Sequence, residues 1–288
     1  ISVTGVQTCA LPISSAQVAK LDTTQIAAIK AATFATLSTD VIAGLTTGDG
    51  DSVDQIGALT TAQVQALGKD QIESLQSAQI SALTGKNLAA FDVTHLNFLS
   101  TDQFSQISSS QITSVTATQW VGMNPDLFAS INTTAFAAIT ASQFKSVTAG
   151  QLGVMTETQA EVMTVDHIAG LTETQANALT AEQLVKFNTQ AKVEAFKPAL
   201  LATLDGETQI AAFTPDQVAY FTKQQMTALT GSQVSYLSAA QIGKLSTDQI
   251  SAISLSAITS LSEEQIQAFN PATQISGFSA AQIGRAHV

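Results

Sequence analysis

The chain has 288 residues, 11 basic and 22 acidic, with a formal net charge of −11. An acidic chain without a basic stripe excludes a phosphate-gripping nucleic-acid surface, and no apolar run approaches the ~18 residues that cross a bilayer as a helix. At 45% hydrophobic residues the chain is too apolar for a disordered polymer.

The first segment, Val3-Thr4-Gly5-Val6-Gln7-Thr8-Cys9-Ala10-Leu11-Pro12-Ile13, resembles a translated short-read sequencing adapter. The reverse complement of that DNA, read in one frame, gives residues 283–288, Ile283 to Val288. Residues 1–14 and 283–288 are therefore read as artefacts on a slice of a longer protein and set aside as tags are. Cys9, the single cysteine, goes with them, so neither a disulfide nor a thiolate metal site is expected.

Residues 15–282 read as a single octapeptide-repeat array. Its unit is an apolar residue, Ser or Thr, two small or acidic residues, Gln, Ile or Val, a variable residue and Ala, as in Leu59-Thr60-Thr61-Ala62-Gln63-Val64-Gln65-Ala66. The spacing Thr-x-x-Gln is a capping box, in which the hydroxyl accepts from the amide three residues on and the Gln side chain reaches back. The flanking apolar pair, Leu59 and Val64, forms a hydrophobic staple. The same slots recur at Leu67/Gly68/Gln71/Ile72, Leu245/Ser246/Gln249/Ile250 and Leu261/Ser262/Gln265/Ile266, with a weaker Gly cap at Gly68. Thr60, Gln63, Gln71, Ser246, Gln249, Ser262 and Gln265 are thus structural capping residues. Pro125, Pro215 and Pro271 each stand one residue inside a proposed cap, where a missing N–H costs nothing. Asp70, Asp102, Glu182 and Asp248 sit in first turns, facing the positive helix end.

One long helix is ruled out, because eight residues rotate an apolar stripe by roughly 80° and wind it round the rod. A strand ladder needs apolar residues spaced by two. What remains is an all-α solenoid of very short capped helices, one per eight residues, with the Ile/Val, Ala and Leu slots inward. Such helices are too short to stand alone and need neighbours. Residues 86–131 resemble 126–171 at an offset of 40. Five octads are read as a duplication unit, the alternative being one turn of the superhelix.

The octad phase slips near residues 46–54, 196–207 and 270–274, read as loops or bends within the array. The first contains Gly48-Asp49-Gly50-Asp51-Ser52-Val53-Asp54. Asp49, Asp51 and Asp54 form a weak Ca²⁺ candidate, but the loop lacks the twelve-residue pattern with its closing Glu, and a plain inter-repeat turn is favoured. His95 and His167 occupy Gln slots, where a capping hydrogen bond or surface exposure accounts for them better than a shared metal. Phe104, Phe128, Phe136, Phe144 and Trp120 fall in the Ile/Val slot and Phe187, Phe213, Phe221 and Phe269 in the Leu slot, all read as core. Tyr220 and Tyr236 stand where Ala is usual and are candidates for a contact patch. No Gly-x-Ser-x-Gly elbow or Gly-rich phosphate loop occurs, so neither catalysis nor a cofactor is expected.

The Leu-Thr-x-x-Gln-Ile-x-Ala-Leu pattern resembles octapeptide stretches of very large bacterial secreted or surface repeat proteins, adhesin-like and sometimes labelled for haem utilisation. The resemblance spans residues 15–283 and implies a structural spacer or stalk, extracellular or on a bacterial surface, continued by flanking repeats of the parent chain. The alternative is a solenoid that binds a protein or glycan. The haem label finds no support in two His residues placed in capping slots. The slot after Ile/Val holds Gly57, Gln65, Glu73, Ser81, Ser105, Thr113, Ser235, Gly243 and Ser251, a bland set that favours the spacer.

Overall fold

A computed structural model describes residues 13–48, 50 and 52–285; Asp49, Asp51, residues 1–12 and residues 286–288 of the adapter-like ends lie outside the described residues. Within these, α-helices of four to six residues follow one another at the octad spacing, from Ser15–Val18 to Ala280–Arg285. Helix makes up 58% of the described residues, well above the roughly one-third usual in globular domains. No strand is present among the described residues; Thr47 and Asp54 form one isolated bridge.

Each helix ends after little more than one turn because the next Leu-Thr pair leaves helical geometry. Leu83, at φ −58° and ψ 133°, and Thr84, at −71° and 157°, are extended. The Thr84 hydroxyl then starts Gly85–Ala90 by accepting from the Asn87 amide. Isolated turns this short carry too few hydrogen bonds to offset their nucleation cost, so tertiary packing supplies the stability.

The chain divides into two compact units, Ile1–Met123 and Asn124–Val288. In the first, Thr61–Gln65 packs on Gly85–Ala90, Ser77–Ala82 on Thr101–Phe104, and Val93–Leu96 on Ala117–Gly122. In the second, Pro125–Ala129 packs on Ala149–Gly153 and Lys223–Ala228 on Thr247–Ala252. Within each unit a helix therefore meets the helix three octads further on.

The inward face of an octad carries the Ile/Val and Leu slots. Val64, Ile72 and Ile80 are wholly buried, and Leu67, Leu75 and Leu83 nearly so. The Phe residues and Trp120 assigned to these slots are buried with them, and Phe128, Phe136 and Phe144 follow edge to face at 5.6 and 6.2 Å. The third inward slot differs from expectation. Ala66, Ala82 and Ala90 are only half-buried, and the Gln residues take that place: Gln63, Gln71, Gln79, Gln103 and Gln111 are all buried.

Candidate functional site

A buried primary amide demands two acceptors for its N–H₂ and a donor for its oxygen. The octad supplies the donor locally. Gln63 Oε1 accepts from the Thr60 N–H at 2.8 Å, and Thr60 Oγ1 accepts from the Gln63 N–H at 3.2 Å. Ser246 and Gln249 pair in the same way at 2.8 and 3.2 Å, and Ser262 and Gln265 at 2.9 and 3.2 Å. Gln71 accepts from the Gly68 N–H at 2.8 Å, half a box, since Gly68 has no side chain to return the bond.

The acceptors come from the preceding turn of the coil. Gln183 Nε2 donates to the carbonyls of Leu152 and Met155 at 2.8 and 2.7 Å, 31 and 28 residues back. Gln111 does so to Ile80 and Leu83, Gln249 to Val218 and Phe221, and Gln265 to Val234 and Leu237. These carbonyls lie at the C-terminal end of a helix four octads earlier, where intrahelical donors run out: the Leu152 carbonyl also accepts from the Met155 N–H at 3.1 Å, while no backbone hydrogen bond to the Met155 carbonyl is seen among the described residues. One side chain thus starts its own helix and finishes another. With helices packing three octads apart and amides reaching four, a turn of the coil takes between three and four octads, so the 40-residue similarity is not a superhelical turn.

The capping box alone does not predict these bonds, because it accepts Glu as readily as Gln. The signal in the sequence was the absence of Glu from a slot flanked by acidic residues. An amide presents an acceptor and a donor at once, which a carboxylate does not.

The polar departures from Gln follow the same chemistry. Asn87 is shorter and reaches one carbonyl, that of Leu59, at 2.7 Å. His167 matches the amide with its two ring nitrogens: Nδ1 accepts from the Thr164 N–H at 3.2 Å, and Nε2 lies 2.5 Å from the Ile139 carbonyl. This fixes the neutral Nε2–H tautomer. The ring is 1% exposed and stacks on Phe144 at 4.5 Å; burial pushes its pKa down, opposed by the Ile139 carbonyl and Asp166. His95 sits differently. Its Nε2 meets the Leu67 carbonyl at 3.1 Å, while Nδ1 lies 2.8 Å from the carboxylate of its own cap, Asp92. The His95 backbone N–H, then its ring, hold the Asp92 carboxyl below the usual range. Lys192 replaces Gln outright and donates to the Glu161 carbonyl, 31 residues back.

The phase slips are extra residues placed mainly inside capping boxes. Thr46 and Gln55 keep half of a box across nine positions: the Gln55 Oε1 accepts from the Thr46 N–H at 3.1 Å, while the Thr46 hydroxyl donates to the Val53 carbonyl. The intervening loop turns at Gly48 and Gly50, whose φ values of 81° and 60° suit glycine. Back-bonds that span this loop lengthen to 37 and 34 residues, as from Gln63 to Ile26 and Ile29. At Gly206–Ile210 one extra residue makes a π-helical turn, so that Asp205 caps Thr208 while Gln209 reaches the Asp205 N–H from four positions on. Single-residue insertions are commonly absorbed this way. Asn270 and Gln274 repeat the arrangement at 2.6 Å, with a turn in place of the helix that Pro271 would open. A further extra residue, Asn188, precedes the Thr189 cap, outside any box.

The remaining candidates do not assemble into a site. Asp54 Oδ1 accepts from the Gly57 N–H at 2.7 Å, closing its own turn. No group of three metal-ligating side chains occurs among the described residues. Tyr220 is half-buried and Tyr236 is exposed, and the Tyr236 ring lies over Gly206, where an added Cβ would stand 2.7 Å from Cδ2. No described helix is long and apolar enough to cross a membrane.

A family model of the ALTTAQ repeat matches residues 53–85. No curated protein matches the chain. Among solved structures, a leucine-rich repeat-containing protein, LegL7 from Legionella pneumophila, is similar at 11% identity, with 87% of this chain and 85% of that chain covered and a TM-score of 0.22. A superposition that loose carries no argument about function.

Proposed function

We propose that this repeat-containing chain is a structural spacer, a segment of a large bacterial surface or secreted repeat protein that holds other parts of its parent apart. The observation that carries the reading is the division of labour within the octad. The inward slots hold a repeated Gln-Ile/Val-Leu set, while the outward slot after Ile/Val holds Gln65, Glu73, Ser81, Thr113, Ser235 and Ser251, all exposed and chemically unremarkable. A binding surface concentrates aromatic or Arg side chains on one face; here most aromatic residues, such as Phe104, Phe128, Phe136 and Trp120, are spent on the core, with Tyr236 the exposed exception among those described. The polar groups that converge among the described residues are mostly amides taken up by backbone, and we read the chain as non-catalytic.

The reading is tested by lengthening the array. Inserting copies of residues 85–116 should increase the maximum dimension in small-angle scattering by a constant step per copy. The unmodified chain should retain nothing on a glycan array. Selective glycan retention that disappears on Tyr220→Ser and Tyr236→Ser would replace the spacer with the binding module.

A further inference from the structure

We infer that the second unit carries a built-in point of yield: the interface between residues 157–171 and residues 188–204 opens before the turns above it. The inference rests on the interturn amides and does not depend on the spacer reading.

The Leu-slot carbonyls form a series along the unit, each offered to the turn that follows. Those of Val147 and Met155 accept from Gln175 and Gln183, and those of Leu179 and Phe187 from Gln209 and Gln217. The two between them, at Met163 and Leu171, accept from no described donor, although these residues are 1 and 2% exposed. The side chains in the facing Gln slots explain the gap. Lys192 bypasses Met163 and donates to the Glu161 carbonyl instead. Leu200 has nothing to donate, and its octad also lacks a start signal, since Lys197 supplies no side-chain cap before Pro198. A turn takes between three and four octads, so two adjacent empty steps strip the amides from at least half of one interface. Further along the unit, Ala257 empties a single step, in an octad that Ser254 still caps.

The other side of the same octads is fully tied. Gln225 donates to the Val193 and Phe196 carbonyls at 2.8 and 2.7 Å, and Gln233 to those of Leu201 and Leu204, both at 2.7 Å. Residues 188–204 are thus bound to the following turn by two amides, and to residues 157–171 by the Lys192 ammonium as the one described hydrogen-bond donor. Apolar packing keeps the seam closed at rest: Val193, Phe196 and Leu201 are at most 1% exposed, and the Phe187 and Phe196 rings meet at 5.9 Å. Such packing is non-directional, and in a repeat array stability is set interface by interface. A load carried along the array would therefore part this seam before the fully bonded turns above it.

Native-state hydrogen exchange of the full chain at low urea tests this. The hydrogen-bonded amides of Val193, Ala195, Leu201 and Ala202 should exchange at least about tenfold faster than those of Val218, Met226 and Val234. Lys192→Gln, Lys197→Thr and Leu200→Gln together restore two Thr-x-x-Gln spacings, the second on the pattern of Thr214-Pro215-Asp216-Gln217, and leave Asn188 and Pro198 in place. This repaired variant should slow exchange within 188–204 at least about tenfold. The slowing should extend to Ile168 and Leu171 on the facing turn, which a repaired cap alone would not move, and should spare Val218 and Met226. If the repaired variant does not fold, Lys192→Met decides the matter: it removes the one polar link and should speed exchange at the seam alone. Equal exchange across the unit in the parent, or a seam that responds to neither variant, would overturn the inference.

Discussion

Replacing Gln183 by Glu separates a local capping residue from a bond between turns. Gln183 is 2% exposed, with its oxygen on the Thr180 N–H at 2.9 Å and its nitrogen on the Leu152 and Met155 carbonyls. Glu keeps the capping acceptor, so on the capping box alone the change is nearly neutral. In the structure it removes two hydrogen bonds, each worth about 0.5–1.5 kcal/mol, and points a carboxylate oxygen at two carbonyls with no donor between them. A buried charge without its partner costs about 3–5 kcal/mol, and that is the loss expected near neutral pH. The glutamate must also titrate upwards, because protonation restores one donor. A folded pKa raised above the ordinary value near 4.3 means that the protonated fold is favoured, so the penalty should shrink as pH falls towards about 4. Urea unfolding followed by far-ultraviolet circular dichroism at both pH values measures it. Hydrogen exchange of the amides of Ala181–Leu184 and of the helix beneath reports whether opening is local, as repeat arrays permit. A loss within about 0.5 kcal/mol at neutral pH, without pH dependence, would refute the interturn role of the amide.

His167 makes the array sensitive to acid. Its folded pKa lies below the ordinary 6.5, so the unfolded chain binds the proton more tightly. The stability it contributes is complete above that value and lost as pH falls through it towards the depressed folded value. Protonated Nδ1 would face the Thr164 N–H, a cost on the order of 1–3 kcal/mol, and His167→Gln should flatten the pH dependence of unfolding. Ile72→Ala removes a wholly buried side chain and should cost about 2–5 kcal/mol in the urea midpoint; a negligible loss would mean the inward face is misassigned. Gly206→Ala drives a methyl group into the Tyr236 ring and should cost about 1–3 kcal/mol, with most of it recovered in the Gly206→Ala, Tyr236→Ala double variant.

The local level of this fold was legible because each octad carries its own start signal. Thr60 with Gln63 specifies a helix boundary whatever lies around it, and the Pro and acidic residues confirm the register. The interturn level was hidden for a geometric reason. A period of eight fixes the length of a step but not the angle between steps, so the partner of Gln183 cannot be placed until helix crossings are known. The inward role of Gln was also masked by polarity: a scale that ranks amides as surface residues assigns the third inward position to Ala66, whereas Gln63 enters the interior with every polar atom satisfied. The slip at Asp205 was visible as a missing phase, but its resolution as a π-helical turn depends on Gln209 keeping its hold on the turn beneath.

The backward direction of the interturn Gln bonds gives synthesis of this chain a direction too. When Gln183 leaves the ribosome, the carbonyls of Leu152 and Met155 have already been made, so each newly emerged segment finds its seat prepared and can lock without waiting for the rest of the chain. Folding in this order resembles masonry, with one course setting on the last, and interruption at any point leaves the completed courses sound. A chain shortened at its beginning fares worse, because amides further along then project into water with nothing below them to hold.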